Sequence, residues 1–161
     1  KEEVDIASIL ARAIKSAKVN AEAKGVKLTL INHRKEKHTI EGDPLLIQIA
    51  LSNIISNAIK YNNMDGIVEI EVDEDRDNLI IKVSDNGVGI PKEETEKIFI
   101  DFYRASNIKH ASVEGCGLGL SVVKQIVERH NGTINVQSPS HLSTNKYPGT
   151  CVKITLPFLK K

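Results

Sequence analysis

Asp85-Asn86-Gly87-Val88-Gly89-Ile90, written DNGVGI, follows the apolar run NLIIKVS (78–84) and stops at Pro91. The run reads as a buried strand, and a plain turn after it would need little more than an Asn-Gly pair. Here an acid comes first and two glycines follow, a pattern that suits a backbone passing close to something else. Just upstream, IVEIEVDE (67–74) is separated from NLIIKVS by the polar turn Asp75-Arg76-Asp77, so the two runs predict a β-hairpin.

Working outward, residues 5–24 predict a helix, with Asp5 placed to cap it and Gly25 placed to end it. VKLTLI (26–31) is strand-like. Asp43-Pro44 opens a second helix, with Ile47, Leu51, Ile54 and Ala58 along its apolar face. After DNGVGI, PKEETEKIF (91–99) predicts a short helix started by its proline. A third helix runs from about Leu118 to His130, closes on Asn131-Gly132, and leads to strands TINVQS (133–138) and TCVKITLPF (150–158). His130 sits where the helix dipole favours a cation. Strands arrive in adjacent pairs instead of alternating with helices, which predicts an α+β sandwich over a doubly wound sheet. The stretch from Tyr103 to Gly117 lacks periodicity, and structureless segments of that length in small domains are often functional lids.

The chain is 161 residues long, enough for one domain with one core, and we read 1–161 as a single domain. Its net charge of +1 gives no electrostatic case for nucleic acid or an acidic membrane surface. No apolar run approaches the roughly 20 residues of a membrane span. Cys116 and Cys151 lack the spacing of a disulfide framework or zinc site, so a reducing cytoplasm is expected. The opening Lys1 suggests a piece of a longer protein.

Two further features carry chemistry. EGCGLGLSVVK (114–124) puts Gly115, Gly117 and Gly119 directly before a helix, and a helix start with glycines suits a phosphate. It is neither a G-x-x-x-x-G-K-[ST] loop nor a G-x-G-x-x-G after a strand, and a simple flexible loop reads the same way. In NIISNAIKY (53–61), Asn53, Asn57 and Lys60 share one helical stripe. Amide oxygens can hold a hard cation such as Mg²⁺, although a stripe facing water has the same spacing.

Taken in order, these elements resemble the ATP-binding catalytic domain of bacterial sensor histidine kinases, within the group that includes gyrase, the ATP-dependent heat-shock chaperones and the mismatch-repair ATPases. NIISNAIKYN resembles that family's N box and DNGVGI its first glycine box. IFIDFYR (98–104) resembles the F box, GCGLGLSVVK the second glycine box, and Pro148-Gly149-Thr150 the short glycine-threonine element. The resemblance spans nearly the whole chain. It implies a two-layer fold, a mixed β-sheet with helices packed on one face, that binds ATP with Mg²⁺.

The resemblance also implies roles. Asp85 would accept a hydrogen bond from the adenine amino group, and Gly87, Gly89 and Ile90 would line the nucleotide. Asn57 would be the Mg²⁺ ligand. Asn53 stands where gyrase-like ATPases carry a water-activating Glu, and an amide cannot serve as a general base. Lys60 and Tyr61 resemble the pair that contacts phosphate and packs against the base. Arg104 resembles the arginine that reaches the γ-phosphate. Gly115, Cys116, Gly117, Leu118, Gly119, Leu120 and Thr150 complete the binding set, with residues 104–116 as a lid and Phe99 and Phe102 as packing at its hinge. Cys116 departs from the family's usual hydroxyl, and SPSHLSTNKYPG (138–149) is longer than the usual link. None of His33, His38, His110, His130 and His141 lies in a His-acid-x-x-x-Pro setting. The implied partners are therefore a separate dimerisation domain bearing the phosphoacceptor His and, indirectly, a response regulator, with no nucleic acid and no direct membrane contact. A gyrase-type ATPase, a serine-kinase anti-sigma factor and an inactive nucleotide-sensing scaffold are the competing readings.

Overall fold

The computed structural model describes residues 1–35, 37, 39–101, 103–107 and 119–159. Helix α1 (Ile6–Lys24) starts where Asp5 accepts a hydrogen bond from the Ala7 N–H and ends at Gly25, whose φ of 70° is left-handed. Helix α2 (Pro44–Lys60) starts where Asp43 Oδ1 accepts from the N–H groups of Leu45 and Leu46 at 3.0 and 3.2 Å. Helix α3 (Gly119–Arg129) closes through Asn131 at φ 59°. Its expected first residue, Leu118, lies outside the described residues.

Among the described residues, five strands form the main sheet: β2 (Lys27–Asn32), β4 (Ile67–Glu74), β5 (Asn78–Asp85), β6 (Thr133–Gln137) and β7 (Thr150–Pro157), in the order β2-β4-β5-β7-β6. The β2/β4 pair is parallel and the others are antiparallel, so the sheet is mixed. Along β4, Val68, Ile70 and Val72 are buried, as are Leu79, Ile81 and Val83 along β5. The period of two turns this apolar set to one face. Ile47, Leu51, Ile54 and Ile55 of α2, Ile6, Ile9 and Leu10 of α1, and Val123 and Val127 of α3 join the same core. The expected α+β two-layer sandwich is what forms.

One expectation needs correction, and two features were not legible in the sequence. Residues 91–99 do not make an α-helix but two single 3₁₀ turns, Lys92–Glu94 and Lys97–Phe99, because Glu94 is drawn into side-chain bonds described below. A small second sheet pairs β1 (Glu2–Val4) with β3 (Ile40–Gly42). Strands of three residues are too short for a periodic signal. His130 stands at the end of α3 as expected, beside a carbonyl of its last turn, but it is also buried and reaches a second helix. It is 4% exposed, its Nδ1 lies 2.7 Å from the Ile126 carbonyl, and its Nε2 accepts the Asp43 N–H at 3.0 Å. The ring ties the end of α3 to the start of α2 as a neutral tautomer.

Candidate nucleotide-binding site

Between α2, the start of α3 and the ends of β5 and β7 lies a cavity of about 320 Å³, within the range of small-molecule sites. Helix α2 builds one wall. Its deeply buried residues face the sheet, while Asn53, Asn57 and Lys60 are only half-buried and line the cavity on the adjoining stripe. A methyl group added at Gly119 would sit 3.7 Å from Asn57 Nδ2, so the first residue of α3 lies beside that amide. Lys60 holds its ammonium 5.5 Å from the centre of the Tyr61 ring, a cation–π pair.

Asp85 closes the end of β5. It is 8% exposed, and its Oδ1 accepts the N–H groups of Gly87 at 2.9 Å and Thr150 at 3.2 Å. Its second oxygen has no hydrogen-bond partner among the described residues. Burial pushes the carboxyl up to about 6, and the two backbone donors only partly oppose it. The site therefore holds a carboxylate with one oxygen fixed by protein and one available to a ligand. Aliphatic side chains surround it, among them Ile54, Val83, Ile98 and Val152.

Of the residues expected in the site, Asn53, Asn57, Lys60, Tyr61, Asp85, Gly89, Ile90, Arg104, Gly119, Leu120 and Thr150 all line this one cavity. Gly115, Cys116, Gly117 and Leu118 lie outside the described residues, as does Phe102. Gly87 is not in the lining. A Cβ there would come within 2.4 Å of the Tyr61 carbonyl oxygen, so the glycine is needed for packing against the end of α2, not for approach to a ligand. Gly89, at φ 71°, lines the cavity, but its missing Cβ makes room for Pro148 and Ser138.

The link 138–149, whose purpose the sequence left open, clamps this turn. Ser140 Oγ donates to the Asp85 carbonyl at 2.6 Å, Ser138 Oγ donates to the Gly149 carbonyl at 2.7 Å, and Ser138 also accepts the Ile90 N–H. A second anchor was equally hidden. Glu94 accepts from the Tyr103 hydroxyl, from Ser106 Oγ at 2.6 Å and from the Ser106 N–H at 3.0 Å. The Ser106 and Tyr103 hydroxyl bonds hold its carboxyl below the usual range. Asn107 Nδ2 donates to the Gly89 carbonyl at 2.8 Å. The described beginning of the expected lid, 104–107, is thus tied to the first glycine turn. Phe99, half-buried, faces Lys124 of α3 at 5.7 Å, in line with a packing role.

The donor set bears on the Mg²⁺ that the sequence resemblance implies. Asp85 is the one carboxylate among the described lining residues, and it is occupied by backbone donors at the buried end. Asn57, beside the start of α3, supplies a neutral oxygen. One amide oxygen suits a cation that keeps most of its waters and shares a substrate's phosphates.

Residues 42–160 match the family described as histidine kinase-, DNA gyrase B-, and HSP90-like ATPase. The sensor protein IrlS of Burkholderia pseudomallei is 41% identical over 115 residues, covering 70% of this chain and 25% of that protein. The sensor-like histidine kinase SenX3 of Mycobacterium tuberculosis is 33% identical over 154 residues, 96% of this chain and 35% of its own length. Among solved structures, the mycobacterial sensor histidine kinase MprB superposes with a TM-score of 0.84 at 27% identity, covering 99% of this chain and 100% of that one. The chain therefore spans only a quarter to about a third of the length of these two sensor proteins. It belongs to the histidine kinase-, DNA gyrase B-, and HSP90-like ATPase family, as the ATP-binding domain of a sensor histidine kinase.

Proposed function

We propose that this domain binds Mg-ATP in the cavity beneath α3 and passes the γ-phosphoryl group to a histidine on a separate dimerisation domain. The observation that carries the proposal is the sharing of one cavity by Asp85, with a free second oxygen, and by Asn57, Lys60, Arg104 and the start of α3. Asp85 accepts the adenine amino group. A base without that donor leaves a buried carboxylate unpaired, at a cost of about 1–3 kcal/mol or more. Aliphatic neighbours pack on the base. Asn57 holds the metal, which neutralises phosphate charge when bound. Lys60 and Arg104 offset the charge that develops as the histidine nitrogen bonds the γ-phosphorus and ADP leaves.

Asn53 favours a kinase over an ATPase. Among the described lining residues Asp85 is the one carboxylate, so none of them but Asp85 offers a carboxylate base to activate water. The γ-phosphate is spared for a histidine. In the parent protein the domain would work on the cytoplasmic side, pass phosphate on to a response regulator, and contact no nucleic acid. Among the described residues no helix is long and apolar enough to cross a membrane.

The test is phosphotransfer in trans. The chain is mixed with a dimerisation domain bearing the phosphoacceptor histidine and with γ-labelled ATP. The expected product is an acid-labile, base-stable phosphohistidine on that domain. Label released as free phosphate would make this an ATPase, and bound but unreacted ATP would make it a sensor or scaffold.

A further inference from the structure

The helix-free face of the sheet carries a cluster unrelated to the nucleotide cavity. Glu69 and Glu71 are two apart on β4, so they share the face opposite Val68, Ile70 and Val72. His141, from the 138–149 link, places Nε2 3.1 Å from Glu69 Oε1. His33, just past β2, places Nε2 3.2 Å from Glu71 Oε2. One donor atom each from Glu69, Glu71 and His141 lie within 4.8 Å of one another. Both carboxylates are about four-fifths covered, with side-chain exposures of 20% and 23%, while the histidines are half exposed.

A second observation lies under the cluster. Ser84 is opposite Glu69 in the β4/β5 register and so on the same face. It is 1% exposed, yet its Oγ has no partner among the described residues. A buried hydroxyl without a partner is costly. A metal-held water, or Glu69 turned while ligating, would satisfy it.

We propose that Glu69, Glu71 and His141, with His33 as a fourth donor, form a binding site for a divalent transition-metal ion of the Zn²⁺ class. Imidazole together with carboxylate selects such ions over Mg²⁺ or Ca²⁺, which prefer all-oxygen shells. Two carboxylates cancel the ion's charge. Zinc holds nitrogen and oxygen donors at about 2.0–2.2 Å, which sets them about 3.4 Å apart around a tetrahedron. The present spread of up to 4.8 Å closes by rotation of the exposed histidine, with both carboxylates carried on one strand. Lys82, opposite Glu71 on β5, is the competing cation, and the two make no ion pair. Bound metal would staple the 138–149 link to the sheet next to Ser140 and Asp85. The site does not depend on the proposed kinase activity.

The test uses the chain freed of metal by chelation and without nucleotide. Zn²⁺ is titrated by calorimetry and Co²⁺ by visible absorption, with melting followed in parallel. One saturable ion per chain, d–d bands of low coordination number and a raised melting temperature are expected. His141→Ala and Glu69→Gln should each weaken binding by about tenfold or more. His141 is half exposed and Glu69 mostly covered, and unchanged metal-free melting checks that each variant folds. His33→Ala separates three donors from four. Absent saturation, equal affinity in the His141 and Glu69 variants, or a thiolate charge-transfer band on Co²⁺ would overturn the proposal and leave two ordinary histidine–carboxylate pairs.

Discussion

Asp85→Asn should make the protein more stable at neutral pH while removing nucleotide binding. In the folded chain the Asp85 carboxyl is raised from 3.8 to about 6, chiefly by burial. The folded state thus binds the proton more tightly than the unfolded state, and ionised Asp85 opposes folding. A shift of about two units corresponds to about 2–3 kcal/mol at 1.36 kcal/mol per unit. That cost is full above pH 6, shrinks as pH falls from 6 to 4, and vanishes below the unfolded value of 3.8. An asparagine carbonyl can keep both bonds from Gly87 and Thr150, and its neutral amide carries no ionisation cost. Chemical denaturation at pH 7.5 should show the variant about 2 kcal/mol more stable, with no difference near pH 3.5. The same variant points an amide donor at adenine's amino donor, so affinity for a non-hydrolysable ATP analogue should fall by about tenfold or more. A variant less stable than the parent at pH 7.5, or one with the parent's pH dependence, would refute the burial argument. Undiminished ATP binding would refute the base pocket.

Asn57→Ala should leave nucleotide binding in chelator unchanged and abolish its strengthening by Mg²⁺, read by calorimetry under both conditions. Gly87→Ala puts a methyl 2.4 Å from the Tyr61 carbonyl oxygen and should cost about 1–3 kcal/mol, seen as a lower denaturation midpoint. Glu94→Ala leaves Tyr103 and both Ser106 donors without their acceptor, so protease cleavage within 103–107 should accelerate and nucleotide affinity should fall. His130→Ala should destabilise by about 2 kcal/mol or more, because it strands the Asp43 N–H and leaves a cavity, while the Ile126 carbonyl keeps the residue-130 backbone N–H. Equilibrium unfolding measures it.

Elements with caps and a long period were legible in the chain. Asp5, Gly25 and Asp43-Pro44 mark the ends of α1 and the start of α2 because the physics of a helix terminus is local. The hairpin of β4 and β5 was legible for the same reason. The N-box stripe was readable because i, i+4 and i+7 face one way on any helix, and all three residues reach the cavity. What stayed hidden depends on partners distant in sequence. Nothing about Ser138 or Ser140 announces that they clamp a turn some fifty residues earlier. Glu94 looked like a helix former among PKEETEK, yet its carboxylate organises Tyr103 and Ser106 and leaves only 3₁₀ turns. Gly87 was assigned to the ligand, although its neighbour is the end of α2. His130 was read only as a partner of its own helix dipole, because no local pattern reveals that the Asp43 N–H donates to its Nε2.

The most direct measurement is calorimetric titration of the chain with a non-hydrolysable ATP analogue, once with Mg²⁺ and once with chelator. The account predicts one molecule bound per chain, more tightly with Mg²⁺, and no comparable binding of the guanine analogue. No binding, or equal affinity with and without the metal, would contradict it.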